Sequence, residues 1–160
     1  MNKKGFIQNI VFVIIGLALF SIVALVGYNT FTEVNDDIQA SEMRNQSKAS
    51  INDLHNRYPS TLDGAFLTIF ILLWILAMVA GWMADSNPLF IIVVGIGMIL
   101  LLVGAGFMSN VWDDFSNDSE FITFSSSFPI MNFVLENFLL NAVVVAMSVM
   151  GLMFMKSRVN

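Results

Sequence analysis

The sequence predicts an all-α integral membrane protein with four transmembrane helices. Hydrophobic residues make up 57% of its 160 residues and charged residues only 12%, whereas soluble domains carry about 25% charged residues. Four apolar runs are long enough to cross a hydrocarbon core of about 30 Å as helices. The two central runs are separated only by the tetrapeptide DSNP, which predicts a transmembrane hairpin. A single soluble all-α domain is the alternative, but it would need only shorter uncharged runs.

The predicted spans cover approximately residues 6–28, 62–84, 88–109 and 130–155 of a single membrane domain. Lys3 and Lys4 precede the first uncharged run, and no small-residue cleavage site follows it, so we interpret it as an uncleaved span. The polar residues 29–61 are expected to form an extramembrane loop. Sparse apolar residues at helical spacing predict that the first helix continues beyond the membrane before the chain turns back near Pro59.

Helix-start signals precede the other three spans. Ser60 and Asp63 have the spacing of a capping box, which predicts that the second helix begins there. Asn87 is the predicted N-cap of the third helix, with Pro88 in its first turn. Pro129 is expected to open the last helix, because a proline is tolerated in the first turn.

The second extramembrane loop, residues 110–129, combines acidic and aromatic side chains. Its aromatic residues predict that it lies on the membrane surface or packs against a neighbour. At the membrane boundaries, Trp82 is expected to mark one interface, and Tyr28 and Trp112 the opposite one.

Four spans would place both chain ends on one side of the membrane. The basic residues next to the spans on that side are Lys3, Lys4, Lys156 and Arg158. The two loops on the opposite side are predominantly acidic. Since lysine and arginine near span ends favour the cytoplasm, both termini are predicted to be cytoplasmic.

Small residues recur on particular faces of the predicted helices, where they permit close helix packing in lipid. Because its glycines occupy two opposite faces, the third helix is expected to be central. There are more such faces than one four-helix bundle needs, which favours a homo- or hetero-oligomer. Alternatively, all of them pack between helices of the same chain. The predicted packing residues are Ala77, Gly81, Ala84, Gly95, Gly97, Gly104, Gly106, Asn137, Asn141, Ala142, Ala146, Ser148 and Gly151.

Few side chains in the spans could carry chemistry. Glu136 is the one ionisable residue that could lie within the hydrocarbon, although its place two turns after Pro129 favours the interface. Asn137 and Asn141 are expected to form interhelical hydrogen bonds, with a solute path as the alternative. The acidic residues of the second loop lack the ligand spacing of a calcium-binding loop. We therefore expect them to face a protein partner. These acidic residues are Asp113, Asp114, Asp118 and Glu120.

No catalytic, cofactor-binding or metal site is expected. The chain has no cysteine and a single histidine, His55, and it lacks a P-loop, a nucleophile elbow, a zinc-protease motif and a dinucleotide fingerprint. Its net charge of -5 does not suggest a nucleic-acid partner. The sequence therefore predicts a protein that is not an enzyme and whose partners are the lipid bilayer and other proteins.

The chain has short basic ends, spans rich in Phe and Met, and polar loops, without cysteine. In this general character it resembles the small multi-span proteins in the internal membrane of tailless icosahedral bacteriophages. The resemblance implies a structural function, in which the bundle anchors in a virion membrane derived from the bacterial cytoplasmic membrane and the acidic loops contact coat or other membrane proteins. No motif carries it, so it assigns no residues. The alternatives are a small channel, a holin-like pore, a transporter, or an accessory subunit of a bacterial membrane complex.

Overall fold

The fold is an antiparallel assembly of long helices, and it confirms the predicted all-α membrane class. The computed structural model describes residues 3–83 and 88–159; the chain is 90% helical, and the described residues contain no β-strand. Four of the helices are long and apolar enough to cross a membrane. The helices are α1 (Lys3–Ala40), α2 (Asn45–Met83), α3 (Pro88–Ser116), α4 (Ile122–Ser125), α5 (Pro129–Glu136) and α6 (Phe138–Val159).

The first two helices extend together well beyond their apolar parts. α2 has 39 residues, which correspond to about 58 Å, roughly twice the hydrocarbon thickness. We call residues 29–58 the polar hairpin: it comprises the end of α1, the turn at 41–44 and the start of α2. As predicted, the first helix continues beyond its apolar part, but the chain turns back at 41–44, not near Pro59. Pro59 lies inside α2 and is buried.

Side-chain hydrogen bonds fix the register of the polar hairpin. The Gln39 amide donates to the Lys48 carbonyl over 3.1 Å, and the Lys48 ammonium donates to the Gln39 carbonyl over 2.7 Å. Closer to the membrane, Thr32 Oγ1 lies 2.9 Å from His55 Nε2. The Thr32 hydroxyl also lies 2.9 Å from the Tyr28 carbonyl of its own helix. The hairpin is thus a defined antiparallel pair of helices.

An aromatic cluster joins the polar hairpin to the membrane bundle. Tyr28 stacks against Tyr58 and His55, with ring centroids 5.8 and 5.1 Å away. The edges of Phe124 and Phe128 meet the same ring at 5.9 and 5.6 Å. Such arrangements are favoured by the aromatic quadrupole. The base of the hairpin is therefore packed as part of the protein core.

Gly27 permits the close approach of α1 and α2 at this cluster. A Cβ atom at Gly27 would lie 2.6 Å from Tyr58 Oη and 3.8 Å from Tyr58 Cζ. We expect Gly27→Ala to lower the free energy of unfolding by about 1 to 3 kcal/mol, because the hydroxyl must move out of a packed site. Tyr58→Phe removes the clashing atom, so the double variant should regain most of that loss. Thermal unfolding of the four proteins in detergent measures this coupling; additive effects would contradict it.

The remaining helices pack against α1 and α2: α3 contacts α1, and α5 and α6 contact α2. α3 is described from Pro88, and its predicted N-cap Asn87 lies outside the described residues. The helix continues to Ser116, well beyond the expected end near Ser109. The short α4 packs against α1 through Phe124 and Tyr28, in agreement with the expectation that this segment packs on a neighbour. α5 begins at Pro129, as predicted.

The last predicted span is interrupted once. Asn137 separates α5 from α6 and has φ -99° and ψ 26°. The buried residues form a large apolar core near the base of the polar hairpin and a smaller one at the opposite end of the bundle. Members of the larger core include Phe66, Trp112, Phe128 and Met131, and the smaller core contains Met98, Ala146, Val149 and Met153.

Candidate functional site

A buried carboxylate at the base of the polar hairpin holds the start of α5. Asp63 lies in the middle of α2 and is only 3% exposed. Its two carboxylate oxygens accept the backbone N–H groups of Ile130 and Met131, over 2.9 and 2.7 Å. These amides belong to the first turn of α5, whose donors have no partner within their own helix. Asp63 therefore caps a helix 67 residues away in the sequence.

This arrangement corrects the predicted capping box. α2 already begins at Asn45, so Ser60 and Asp63 are interior residues of that helix. The Ser60 hydroxyl donates to the Arg57 carbonyl over 3.1 Å, within one turn of the same helix. The Asp63 side chain is committed to α5 and does not return to Ser60.

A second set of hydrogen bonds ties α3 and α4 to the same end of α5. The Trp112 indole donates to Asn132 Oδ1 over 3.2 Å, and Asn132 Nδ2 donates to the Ser125 carbonyl over 2.8 Å. The Ser125 hydroxyl lies 3.0 Å from the Ser116 carbonyl. Trp112 is 3% exposed, so the residue expected at the lipid interface is instead part of the core. Trp82 is exposed, at 49%.

At the interruption between α5 and α6, side-chain donors bond to three backbone carbonyls of α5. Asn137 Nδ2 donates to the Phe133 carbonyl over 2.9 Å, and Asn141 Nδ2 donates to the Val134 carbonyl over 3.0 Å. The Ser109 hydroxyl of α3 donates to the Glu136 carbonyl. Backbone groups freed in a span need such partners because lipid supplies none. Asn137 and Asn141 thus bond across the break in their own span; the bond from α3 comes from Ser109, which the sequence did not single out.

Several predicted packing residues do lie between helices. Gly81 is buried where α2 crosses α6, and a Cβ atom there would lie 2.7 Å from Val149 Cγ1. Ala142 and Ala146 are buried, Ala77 packs against the smaller core, and Gly97 is buried in α3. Close approach of α2 and α6 therefore depends on the absence of a side chain at Gly81.

Other small residues have open space beside them. A Cβ atom at Gly95, Gly104 or Gly151 would meet no atom within 4 Å, and one at Gly106 would only touch Leu139 at 4.0 Å. The Ser148 hydroxyl donates to the Val144 carbonyl of its own helix over 2.8 Å. Ala84 lies outside the described residues. Gly95, Gly104 and Gly106 therefore do not create tight contacts between α3 and the described residues of the other helices.

The predicted acidic side chains all lie on the surface near the polar hairpin. Asp113, Asp114, Asp118 and Glu120 are exposed. Asp113 accepts the Asn117 amide over 2.9 Å, and Asp118 accepts the Glu120 backbone N–H over 2.9 Å. Within the part of the chain that is described, no three acidic, histidine or cysteine side chains are grouped to hold a metal ion. The arrangement places negative charge on the exposed surface of this segment.

Glu136 is exposed on the outer surface of the bundle. Its carbonyl faces α3 and accepts from Ser109, whereas its carboxylate has no hydrogen bond or ion pair with the described residues. The side chain thus points away from the other helices of the same chain.

These features define a polytopic all-α membrane protein whose polar hairpin is fixed on its bundle. Comparisons with known protein families, curated proteins and solved structures found no match. The functional argument therefore depends on the arrangement of the chain's own residues.

Proposed function

We propose that the protein is a structural membrane protein that packs laterally with other membrane subunits and presents acidic surfaces to protein partners. In this proposal the basic chain ends face the cytoplasm, and the polar hairpin lies on the opposite side. The bundle serves as an anchor, and the exposed carboxylates of the hairpin and of the segment after α3 serve as docking groups.

One observation carries the proposal: three polar side chains of the bundle, those of Asp63, Asn132 and Asn141, are committed to hydrogen bonds that hold helices in place. Asp63 caps α5, and Asn132 links Trp112 of α3 to the Ser125 carbonyl. Asn141 donates to the Val134 carbonyl, on the other side of the break in the last span. Groups committed in this way stabilise one arrangement of helices. The exposed acidic side chains, by contrast, remain accessible to a partner.

The interruption at Asn137 does not favour transport. Broken helices in transporters expose backbone groups to a substrate or an ion. Here the carbonyls of Phe133, Val134 and Glu136 accept from Asn137, Asn141 and Ser109. A channel, holin-like pore or transporter therefore remains the alternative function, without support from this break.

Two settings suit a structural protein of this kind. The resemblance in general character suggests the internal membrane of a bacteriophage virion, where many copies would fix membrane curvature beneath a protein shell. An accessory subunit of a bacterial membrane complex would use the same helix faces. The difference lies in the partners, which are coat proteins in one setting and cellular subunits in the other.

The test is the mass of the protein extracted in mild detergent from its native source, with the partners identified in the same sample. We expect a large stoichiometric assembly that contains coat or other membrane subunits. A lone monomer, or a small closed ring without partners, would contradict the proposal.

Asn141→Leu separates the structural and transport functions. We expect it to lower the free energy of unfolding by about 0.6 to 2 kcal/mol, because the Val134 carbonyl loses its donor in lipid, and to reduce assembly. Ser148→Ala is the matched control, since its hydroxyl bonds only within its own helix turn. Ion or solute flux in liposomes should be absent in the unaltered protein. Flux that Asn141→Leu abolishes while the assembly stays intact would favour a transporter.

A further inference from the structure

We propose that the outward face of α5 and α6 docks against a transmembrane helix of a different protein, and that this helix carries a lysine or arginine that pairs with Glu136. The inference rests on the proposed structural function and specifies the face and the partner. We call this surface the Glu136 face. It consists of Phe133, Glu136, Leu140, Met147 and Gly151.

The five residues lie on one side of the last span. Phe133 and Glu136 are three positions apart in α5, and Leu140, Met147 and Gly151 are seven and four positions apart in α6, so each group shares one helix face at 100° per residue. All five are exposed, and Phe133, Leu140 and Met147 are 65%, 62% and 66% exposed. No described part of the same chain covers this face.

Hydrogen bonds to the neighbouring helices give the depth of Glu136. Its carbonyl is bonded to Ser109, four residues before Asp113, which places it about 6 Å inward of that charge. Asp63 is bonded to the amide of Met131, five residues and about 8 Å before Glu136 along α5. Asp63 and Asp113 are the first charges that flank the apolar parts of α2 and α3. Glu136 therefore lies one to two helical turns inside the apolar band.

A carboxylate at this depth that faces away from its own bundle needs a partner of opposite charge, since ionisable groups within the membrane are normally paired. The side chain has no hydrogen bond or ion pair with the described residues. A glutamate has a short stem with which to reach the headgroups.

A second copy of the same chain does not supply this charge. Its lysine and arginine residues occur only at the two chain ends and in the polar hairpin, and none occurs in 10–27, 64–83 or 88–155. Arg57 is the basic residue nearest to Asp63 in the sequence, and it lies six residues, or about 9 Å, on the polar side of it. Charge complementarity therefore points to a span of another protein.

Gly151 also favours the docking of a transmembrane helix on this face. It lies on the Glu136 face and is exposed, with no atom within 4 Å of the position of a Cβ. A glycine on an outward face permits the close backbone approach that drives helix association in lipid. It lies 15 residues, or about 22 Å, from Glu136 along the helix, so the contact can extend over about four turns.

The first experiment places a photoreactive amino acid at Leu140 of the full chain in its native membrane. Val103, which is 68% exposed on α3, is the matched control position. We expect the Leu140 product to map to an apolar helix of a different protein, within one turn of a lysine or arginine. Its yield should fall at least fivefold with Glu136→Gln and stay unchanged with Thr68→Val, since the exposed Thr68 hydroxyl bonds to the Gly64 carbonyl of its own helix. Products with lipid or a second copy alone, a partner helix without a basic residue, or no effect of Glu136→Gln would overturn the inference.

The second experiment measures the interaction with a defined probe in liposomes. The probe is a leucine- and alanine-rich transmembrane peptide with one lysine six residues from its end, and its control carries glutamine there. By energy transfer, the lysine peptide should associate at least fivefold more strongly, and Glu136→Gln or Gly151→Leu should reduce that association. Equal association of the two peptides would overturn the inference.

The outcomes also distinguish this inference from the proposed function. A large native assembly in which Leu140 crosslinks only to lipid would overturn the Glu136 face and leave the structural function standing. A protein that forms no assembly in its native membrane would contradict the proposed function itself.

Discussion

Asp63→Ala is expected to lower the free energy of unfolding by about 3 kcal/mol. The substitution leaves the backbone N–H groups of Ile130 and Met131 without acceptors in a site where Asp63 is 3% exposed. Each unsatisfied buried donor costs about 1 to 3 kcal/mol, and loss of an N-cap alone costs about 0.5 to 2 kcal/mol. Unfolding in mixed micelles of increasing SDS content, followed by circular dichroism, provides the measurement.

Two further variants make this prediction specific. Asp63→Asn keeps the shape of the side chain but only one acceptor oxygen, so its effect should be about half as large. Asp53→Asn is the matched control, because Asp53 pairs with Arg57 on the exposed surface of the same helix, where such pairs contribute about 0 to 1 kcal/mol. Equal stability of the Asp63→Asn and Asp53→Asn proteins would show that Asp63 does not hold α5.

Gly81→Ala is expected to destabilise the contact between α2 and α6. The new Cβ would lie 2.7 Å from Val149 Cγ1 and 3.4 Å from the Val149 carbonyl oxygen. Overpacking of this kind costs about 1 to 3 kcal/mol. Gly104→Ala is the matched control, since its Cβ meets no atom within 4 Å while the gain in helix propensity is the same. The difference in the free energy of unfolding between the two variants should therefore be about 1 to 3 kcal/mol.

Val149→Ala tests the origin of that difference. The substitution removes Cγ1 and leaves a cavity of its own, because Val149 is only 1% exposed. In the double variant with Gly81→Ala the new methyl group occupies part of that space. We expect the free energy of unfolding of the double variant to be at least 1 kcal/mol higher than the sum of the two single effects predicts. Additive effects, or equal stabilities of Gly81→Ala and Gly104→Ala, would argue against close packing at this crossing.

Properties that depend on one stretch of the chain could be predicted from the sequence. The absence of charge over long runs predicts the four apolar helices, and the fixed φ of proline predicts the start of α5 at Pro129. Sparse apolar spacing predicts that α1 continues beyond its apolar part, but it does not give the position of the turn. Pro59 was expected near a turn, yet a proline can remain inside a helix where packing and nearby hydroxyl groups compensate for the lost hydrogen bond.

Properties that depend on a distant partner could not be predicted in this way. The spacing of Ser60 and Asp63 fits a local cap, but a local pattern carries no information about α5, to which the Asp63 carboxylate is bonded. Tryptophan is a residue type that is common at membrane interfaces. Trp112 is nevertheless buried, because Asn132 provides an acceptor for its indole N–H. Gly81 and Gly104 look alike in the sequence, and only the position of α6 distinguishes them.

The length of the polar hairpin has a mechanical consequence. From Asp63 to the start of α2 at Asn45 the helix rises about 27 Å, and the aromatic contacts of Tyr28 clamp the base of the hairpin to the bundle. The hairpin therefore acts as a lever arm whose tip amplifies any tilt of the helices in the bilayer. A tilt of about 10° would displace the turn at 41–44 sideways by about 5 Å, by the same rise per residue. Anything attached at that turn would be held at a set height above the lipid, and its lateral position would report changes in membrane thickness or curvature.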